Sequence, residues 1–492
     1  MKKRYFVSAI LFILILTLIS ASFSSCSKNN AEDDDVNGET KSNAEISETT
    51  TENPFAKYDD NLGEYNFKGE EFKIQTFEDV NIHNRIDTEE EIGELLNDAI
   101  YKRNRTIEER FNVVIKEILV TNYSHDKTRS IMLSGDSTAF DLFSARCSDA
   151  LSAWQEGLAY SYEDIPAIDL SKPYWNQTMN KSITLGGNQY VALGDFNLNT
   201  YDITHTMLFN KSMIQDFELE DPYSLVNSGK WTLTMMEEMI KQVILDLDGD
   251  GIMNEYDRYG YLAGPKQVLP CFWIAANTLS IGKDENDIPY IAMGDENFVR
   301  AFDKTFSMLW DSGAYYLPKD TWADVPPEAR NMFSNGQSLF MDMTFIVIES
   351  MRSTETDFGI LPYPKYDENQ ENYVSRTEYY WTFQVPSINN ELERAGVMLE
   401  ALNSYSAKIV IPAYYELALK TKFTRDDESS EMLDLILSTT VIDLGDTILC
   451  GDIRDGIMKP MFEKNDRNLI SKVQKTETTI KKFIENIPVH QG

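Results

Sequence analysis

Cationic side chains, cysteine and histidine are all scarce in this 492-residue chain. Lysine and arginine number 45 against 80 aspartates and glutamates, a formal net charge of −35. That balance argues against nucleic acid and anionic lipid surfaces as partners. Of the four cysteines, Cys147, Cys271 and Cys450 are widely spaced and odd in number, so a disulfide framework is excluded and at most one bridge can form among them. Four histidines and no Cys-x-x-Cys or Cys/His metal spacing leave no zinc-type motif. The body carries no Gly-x-Ser-x-Gly, His-Glu-x-x-His, phosphate-binding glycine loop or dinucleotide fingerprint. With 80 acidic residues, carboxylate pairs abound, so their presence does not mark a glycosidase. No internal repeat is visible, and no second membrane-spanning run follows the N-terminal one.

What is present begins with an export leader. Lys2, Lys3 and Arg4 form a positive start, an apolar run covers residues 7–19, and Ser20, Ala21, Ser22, Phe23, Ser24 and Ser25 lead to Cys26. Three readings fit: a signal peptide cut near Ala21, an uncleaved anchor over residues 5–23, or a lipoprotein signal. Phe23-Ser24-Ser25-Cys26 resembles a lipobox, with Phe where Leu is usual, and would make Cys26 the lipidated residue. All three place residues 27 onward outside the cytoplasm, where cytosolic cofactors are not at hand. Residues 27–60 are acidic and polar with almost no apolar side chains, and read as a disordered spacer.

The remaining chain is too long for one small core. Strand patterns at 71–77, 113–119 and 140–144 alternate with helical patterns, the first formed by Ile92, Leu95, Leu96, Ala99, Ile100, Arg103, Ile107 and Phe111, the second over 127–134. That alternation predicts a parallel sheet with crossover helices. Further strands are expected at 190–193 and 205–210, and helices at 231–245, 297–312, 391–405, 429–439 and 476–486. Thr232 or Thr234 would cap the first of these, Thr234 with Glu237 fitting a capping box. The expectation is a mixed α/β protein with two lobes.

The most explicit chemical motif is residues 246–257. Asp246, Asp248, Asp250, Asn254 and Asp257 stand at loop positions one, three, five, nine and twelve, with Gly251 at six and the Ile252 carbonyl at seven. These oxygens at these spacings suit Ca²⁺, although an acidic solvated turn would read similarly. Aspartate at position twelve resembles a dockerin loop more than a signalling EF-hand, but a dockerin needs a duplicated loop near one end; here a strand-like sequence follows and no second loop exists to pair with it. The expected role is a structural staple.

Three blocks then carry a family resemblance: Asp169-Leu170-Ser171-Lys172-Pro173-Tyr174-Trp175-Asn176-Gln177, Tyr190-Val191-Ala192-Leu193-Gly194-Asp195 and Leu208-Phe209-Asn210-Lys211. Gly229-Lys230-Trp231-Thr232-Leu233, the acidic loop, and Gly359-Ile360-Leu361-Pro362-Tyr363-Pro364-Lys365-Tyr366 follow in order. The sequence resembles family 1 extracellular solute-binding proteins, which serve bacterial ABC importers, mostly for carbohydrates. The resemblance implies a two-lobed α/β clamp, each lobe a sheet flanked by helices and joined by hinge crossings. It places lobe one at 64–195 with a return at 385–410, lobe two at 196–384, and a shared C-terminal region at 411–492. It implies a monomeric receptor, anchored on the outer face of the cell membrane, that hands a mono- or oligosaccharide to permease subunits without catalysis. A secreted glycan hydrolase is the alternative, and a surface adhesion module a third class.

Sugars show apolar faces to aromatic rings and hydroxyls to polar side chains. Trp175, Trp273 and Trp381 near inferred lobe edges, with Asp195, Arg146 and Asp342 beyond strand-like segments, are therefore the candidate ligand-binding residues. Core packing is the competing reading for each tryptophan. Trp231 and Trp310 are expected in helix packing, and His205 is expected to be packed.

Overall fold

A computed structural model describes residues 56–78, 82–120, 123–351, 354–418 and 427–487. The chain divides into units Met1–Asn53 and Pro54–Gly492, and every described residue belongs to the second. The leader, Cys26 and spacer residues 27–55 lie outside the described residues. The last expected spacer residues are docked. Asp60 accepts from Arg110 (2.6 Å), and the Tyr58 carbonyl accepts from Ser404 (2.7 Å).

The first sheet is built as the alternation predicts. Strand β1 (Glu70–Phe77) pairs parallel with β2 (Val113–Val120) and β3 (Leu142–Arg146), with helices Leu95–Phe111 and His125–Ser134 between them in sequence. The first helix buries Leu96, Ala99, Ile100, Arg103, Ile107 and Phe111, one face at helical spacing. Ser124 caps the second, accepting from the Lys127 amide, and Gly135 ends it in the left-handed region (φ 75°).

The second sheet contains β4 (His205–Asn210), β5 (Tyr259–Leu262), β8 (Tyr315–Tyr316), β9 (Ser338–Thr344) and β10 (Phe358–Leu361) in the order β10-β4-β9-β5-β8. β9 is buried at all seven positions, as a central strand covered on both faces must be. Helix Leu233–Val243 packs directly on β5: a Cβ at Gly260 would lie 2.3 Å from that of Ile240, so only glycine permits the contact. Thr232, not Thr234, caps this helix: its backbone is extended and its hydroxyl accepts from the Met235 amide, while Glu237 is engaged by Lys241 and Lys304. β6 (Ile281–Lys283) and β7 (Pro289–Ile291) form a separate hairpin, and β11 (Ser375–Arg376) pairs with β13 (Thr440–Val441).

The chain crosses between the sheets along adjacent paths. One runs through Asn199–Asp202 into β4, the other from β11 into β12 (Trp381–Gln384). Thr204 and Thr377 bridge antiparallel with their hydroxyls 2.8 Å apart, and Asn199 accepts from the Trp381 amide at 2.9 Å. β12 then joins the first sheet antiparallel to β3. The return strand therefore precedes residue 385, inside the span expected for lobe two. Past residue 411 the chain packs on both halves, Ile411–Ala418 on helix Leu95–Phe111 and Asp427–Ser438 on β10.

Residues 190–193 form no strand. They are buried, but side chains rather than a neighbouring strand satisfy their backbone: Leu193 N–H donates to Asn180 Oδ1 (2.7 Å), and Gln189 Nε2 donates to the Val191 carbonyl (2.6 Å). A hydrophobic run alone does not supply a ladder partner.

Candidate functional site

The ends of β3 and β9 both reach Tyr379: Arg146 lies over its ring, and Thr344 lines a cavity with it. In the first sheet β1 ends at Phe77, β3 ends at Arg146, and antiparallel β12 starts opposite at Trp381. This edge gathers aromatics. Trp381 lies 3.5 Å (centroid to centroid) from Phe77 and 4.6 Å from Tyr123, whose ring stands nearly perpendicular at 88°. The exposed Arg146 guanidinium covers the group, 5.0 Å from the Trp381 ring, 5.1 Å from Tyr123 and 5.9 Å from Tyr379. Tyr123 is fixed by donating to Asp149 (2.6 Å), and burial followed by that carboxylate pushes its phenol well up.

The facing edge of the second sheet is formed by the ends of β5 and β9 and the start of β4. A cavity of about 750 Å³ opens here, lined from the crossings by Ile203, Glu378 and Tyr379, from the end of β9 by Thr344, and from the loop after β1 by Ile82. Its polar wall holds Lys266, Asp324, Arg330, Ser350, Arg454 and Asp455. Lys266 pairs with Asp324 (2.5 Å), and Gln267 Nε2 donates to both Asp324 (2.6 Å) and Glu378 (3.2 Å). Burial and the neighbouring Glu378 raise Asp324 above the usual carboxylate range. Burial alone would raise Glu378 too, but the guanidinium groups of Arg376 and Arg454 beside it hold it far below.

Beneath the cavity a charged network joins the crossing to the second sheet. Buried Arg376 makes a two-pronged contact with Asp446 (2.6 and 2.8 Å), donates to Gln267 (2.5 Å), and lies 2.8 Å from His205 Nε2. His205 Nδ1 faces Asp342 at 2.9 Å. Since arginine only donates, His205 Nε2 accepts, and its proton sits on Nδ1 toward Asp342. Cys271 stands beside this group, with Arg376 donating to its sulfur at 3.4 Å. His205, Cys271 and Asp342 converge closely enough to ligate a metal, but the guanidinium supplies the positive charge there.

The structure brings two of the six sequence-derived ligand residues together, Arg146 and Trp381. Trp175 and Trp273 are buried with their indole N–H groups donating to Glu400 (3.1 Å) and Asp443 (2.8 Å), and Asp342 is interior to β9. Segment-end position in the sequence does not separate these buried side chains from the exposed Arg146 beside Trp381. Asp195 accepts from Tyr201 (2.7 Å), away from the cavity, and burial pushes it up to about 7. Trp231 is buried as expected. Trp322, two residues from Asp324, is 60 % exposed, with Lys459 Nζ 3.9 Å from the ring centroid. Sequence reasoning did not select Tyr123, Lys266, Asp324, Arg330, Glu378, Tyr379 or Arg454. Only Tyr379, two positions before Trp381, had a signal that could have found it.

The acidic loop sits apart, between helix Leu233–Val243 and β5. Asp246 accepts from the amides of Gly249 (2.7 Å) and Gly251 (2.8 Å), two glycines in the left-handed region at φ 74° and 81°. Those N–H groups hold Asp246 below the usual range. The Asp250 amide favours the Asp248 carboxylate, but desolvation and the charges of Asp250, Asp257 and Asp246 outweigh it and raise the group. Ligand oxygens of Asp246, Asp248 and Asp250 lie within 4.8 Å of one another, a donor set that fits a hard divalent cation. Asp257 is buried and binds the Leu247 and Asn254 amides (2.8 and 2.7 Å), while Asn254 donates to the Ile252 carbonyl (3.0 Å). Those three organise the turn in this geometry.

No protein-family model and no curated protein matches the chain. Solved structures do. An ABC substrate-binding protein of Listeria monocytogenes, solved with cycloalternan, aligns at TM-score 0.54 and 14% identity, covering 85% of this chain and 99% of that one. The GacH receptor of Streptomyces glaucescens, solved unliganded and with acarbose, aligns at 0.53 and 14% over 85% and 99%. The cyclic α-maltosyl-1,6-maltose binding protein of Arthrobacter globiformis aligns at 0.57 and 12% over the same shares. Identities this low establish the fold: the chain has the two-lobed α/β architecture of these binding proteins.

Proposed function

We propose that this protein captures a carbohydrate between its two lobes and delivers it, chemically unchanged, to an ABC importer. The observation that carries the reading is the opposition of two unlike walls. The aromatic and guanidinium cluster ends the first sheet, and a 750 Å³ cavity with one charged, polar wall ends the second, with paired chain crossings between them. Aromatic faces take the C–H surface of a sugar, and the polar wall takes its hydroxyls. The exposed Trp322 offers a further ring beside the polar wall. Closure of the lobes about the crossings would shield the ligand and form the surface a permease recognises. The similar proteins solved with cycloalternan and acarbose support a carbohydrate as the ligand class.

In this reading Cys26 carries the lipid, residues 27–55 tether a monomeric body outside the cell membrane, and the acidic loop holds Ca²⁺ as a staple. Asp246, Asp248 and Asp250 would bind the ion, which cross-links one turn and supplies no reaction chemistry. Among the described residues no helix is long and apolar enough to cross a membrane.

One observation favours a hydrolase as the second reading: Asp324 is raised and Glu378 lowered across one cavity, as an acid and a base would be. Both, however, are committed to cations, Asp324 to Lys266 and Glu378 to Arg376 and Arg454. Titrating tryptophan fluorescence against a panel of mono- and oligosaccharides, and chromatographing the recovered sugar, separates the two. Saturable shifts with intact sugar are expected; released product, or no saturable binding across the panel, overturns the proposal.

A further inference from the structure

We propose that the ligand is an acidic carbohydrate, a saccharide carrying a carboxylate of the uronate type, recognised by Arg330 and Arg146. The proposal rests on the solute-capture reading above and narrows its ligand class. It follows from accounting for the cations around the cavity. Lys266 is neutralised by Asp324 at 2.5 Å. Arg454 is neutralised by Asp455 at 2.8 Å, with Glu378 and Asp446 beyond it. Arg330 has no such partner among the described residues. Its Nη1 donates to the Ser350 hydroxyl (2.9 Å), and its Nε is buried with no hydrogen-bond acceptor. Arg146 likewise faces no carboxylate among the described residues and lies against the ring faces of Tyr123, Tyr379 and Trp381. Tyr379 connects the two, because it lines the cavity with Arg330 and lies under Arg146.

Two guanidinium groups without acids, in a chain of net charge −35, are poorly explained by a neutral guest. A neutral sugar closing over Arg330 would desolvate its charge and return only hydroxyl contacts. A carboxylate would engage the planar fork with two charge-assisted hydrogen bonds. The flat guanidinium of Arg146 stacks on aromatic rings, which leaves its N–H edge free to donate. The same edge-and-ring arrangement suits a pyranose whose ring lies against the aromatics while its acid reaches an arginine.

The test is calorimetric titration of the purified protein with two matched sets of disaccharides. One set is built from galacturonate, glucuronate, mannuronate or guluronate, and the other from the corresponding neutral hexoses. At least one uronate disaccharide is expected to bind, and its neutral counterpart to bind at least about tenfold more weakly. Arg330→Gln should weaken uronate binding by about tenfold or more, and Arg330→Lys by less, with melting temperatures checked for each variant. Should Arg330→Gln not fold, the native protein still decides: uronate affinity must fall between 50 and 500 mM NaCl, on the order of a Debye-screening effect, while neutral-sugar affinity must not. Neutral sugars binding as tightly as acidic ones overturns this inference and leaves the carbohydrate reading standing. So does uronate affinity unchanged by both Arg330→Gln and salt. Binding by neither set overturns both.

Discussion

Glu400 allows a stability prediction that can be worked through quantitatively. It sits on helix Leu392–Tyr405, fully buried, and accepts from the Tyr174 hydroxyl, the Trp175 indole (3.1 Å) and the Asp169 amide (3.4 Å). Burial outweighs those donors and raises its pKa from 4.5 to about 7. A carboxyl raised in the folded state favours folding when protonated. Its contribution is fully present below pH 4.5, falls as pH rises, and is gone above about 7. The slope approaches about 1.4 kcal/mol per pH unit within that window, for a total of about 3 kcal/mol, of the order expected for one such shift. Glu400→Gln keeps an amide oxygen for Trp175 and removes the titration. Urea unfolding of wild type and variant at pH 5, 6, 7 and 8 measures the difference. The stability of Glu400→Gln relative to wild type should improve as pH rises from 5 to 7, by up to about 3 kcal/mol, and change little from 7 to 8. Parallel pH profiles for the two proteins would refute the assignment of a buried, protonatable Glu400.

Three further outcomes are expected. Arg376→Met leaves Asp446 only the more distant Arg454 (3.6 Å) and removes the donor to Gln267, so it should cost about 3 kcal/mol in equilibrium unfolding, the lower end for breaking a buried pair. Trp322→Ala should leave the melting temperature within about 1 °C, since exposed sites contribute little, while weakening the tightest-binding saccharide about tenfold in a fluorescence titration. Calcium chelation should lower the melting temperature in differential scanning calorimetry and leave saccharide affinity intact. Asp248→Ala should remove the sensitivity to chelator, and lost affinity in a still-folded protein would contradict the staple role.

The helix at Leu95–Phe111 and the strand at Val113–Val120 were legible because periodicities of 3.6 and 2 are local and their apolar faces are wide. The same pattern logic failed at 190–193, a buried segment whose Leu193 amide and Tyr190 carbonyl pair with the side chains of Asn180 and Gln384 instead of a strand. For Thr232 and Thr234 the residue types permitted either cap. The backbone decides it, being extended at Thr232 and helical from Leu233, and Glu237 pairs instead with Lys304, 67 positions along the chain.

The sequence alone determined the acidic charge, the alternation of strands and helices, and the oxygen spacing of residues 246–257, since all of these are properties of neighbours along the chain. Whether a tryptophan faces core or cleft was decided only in three dimensions. Trp175 found Glu400 at a separation of 225 residues, and Trp381 met Arg146 through strand pairing. The cavity wall likewise draws Lys266, Arg330, Glu378 and Arg454 from separate parts of the chain. A binding site made at the ends of strands depends on which ends the fold brings together, and no local pattern encodes that.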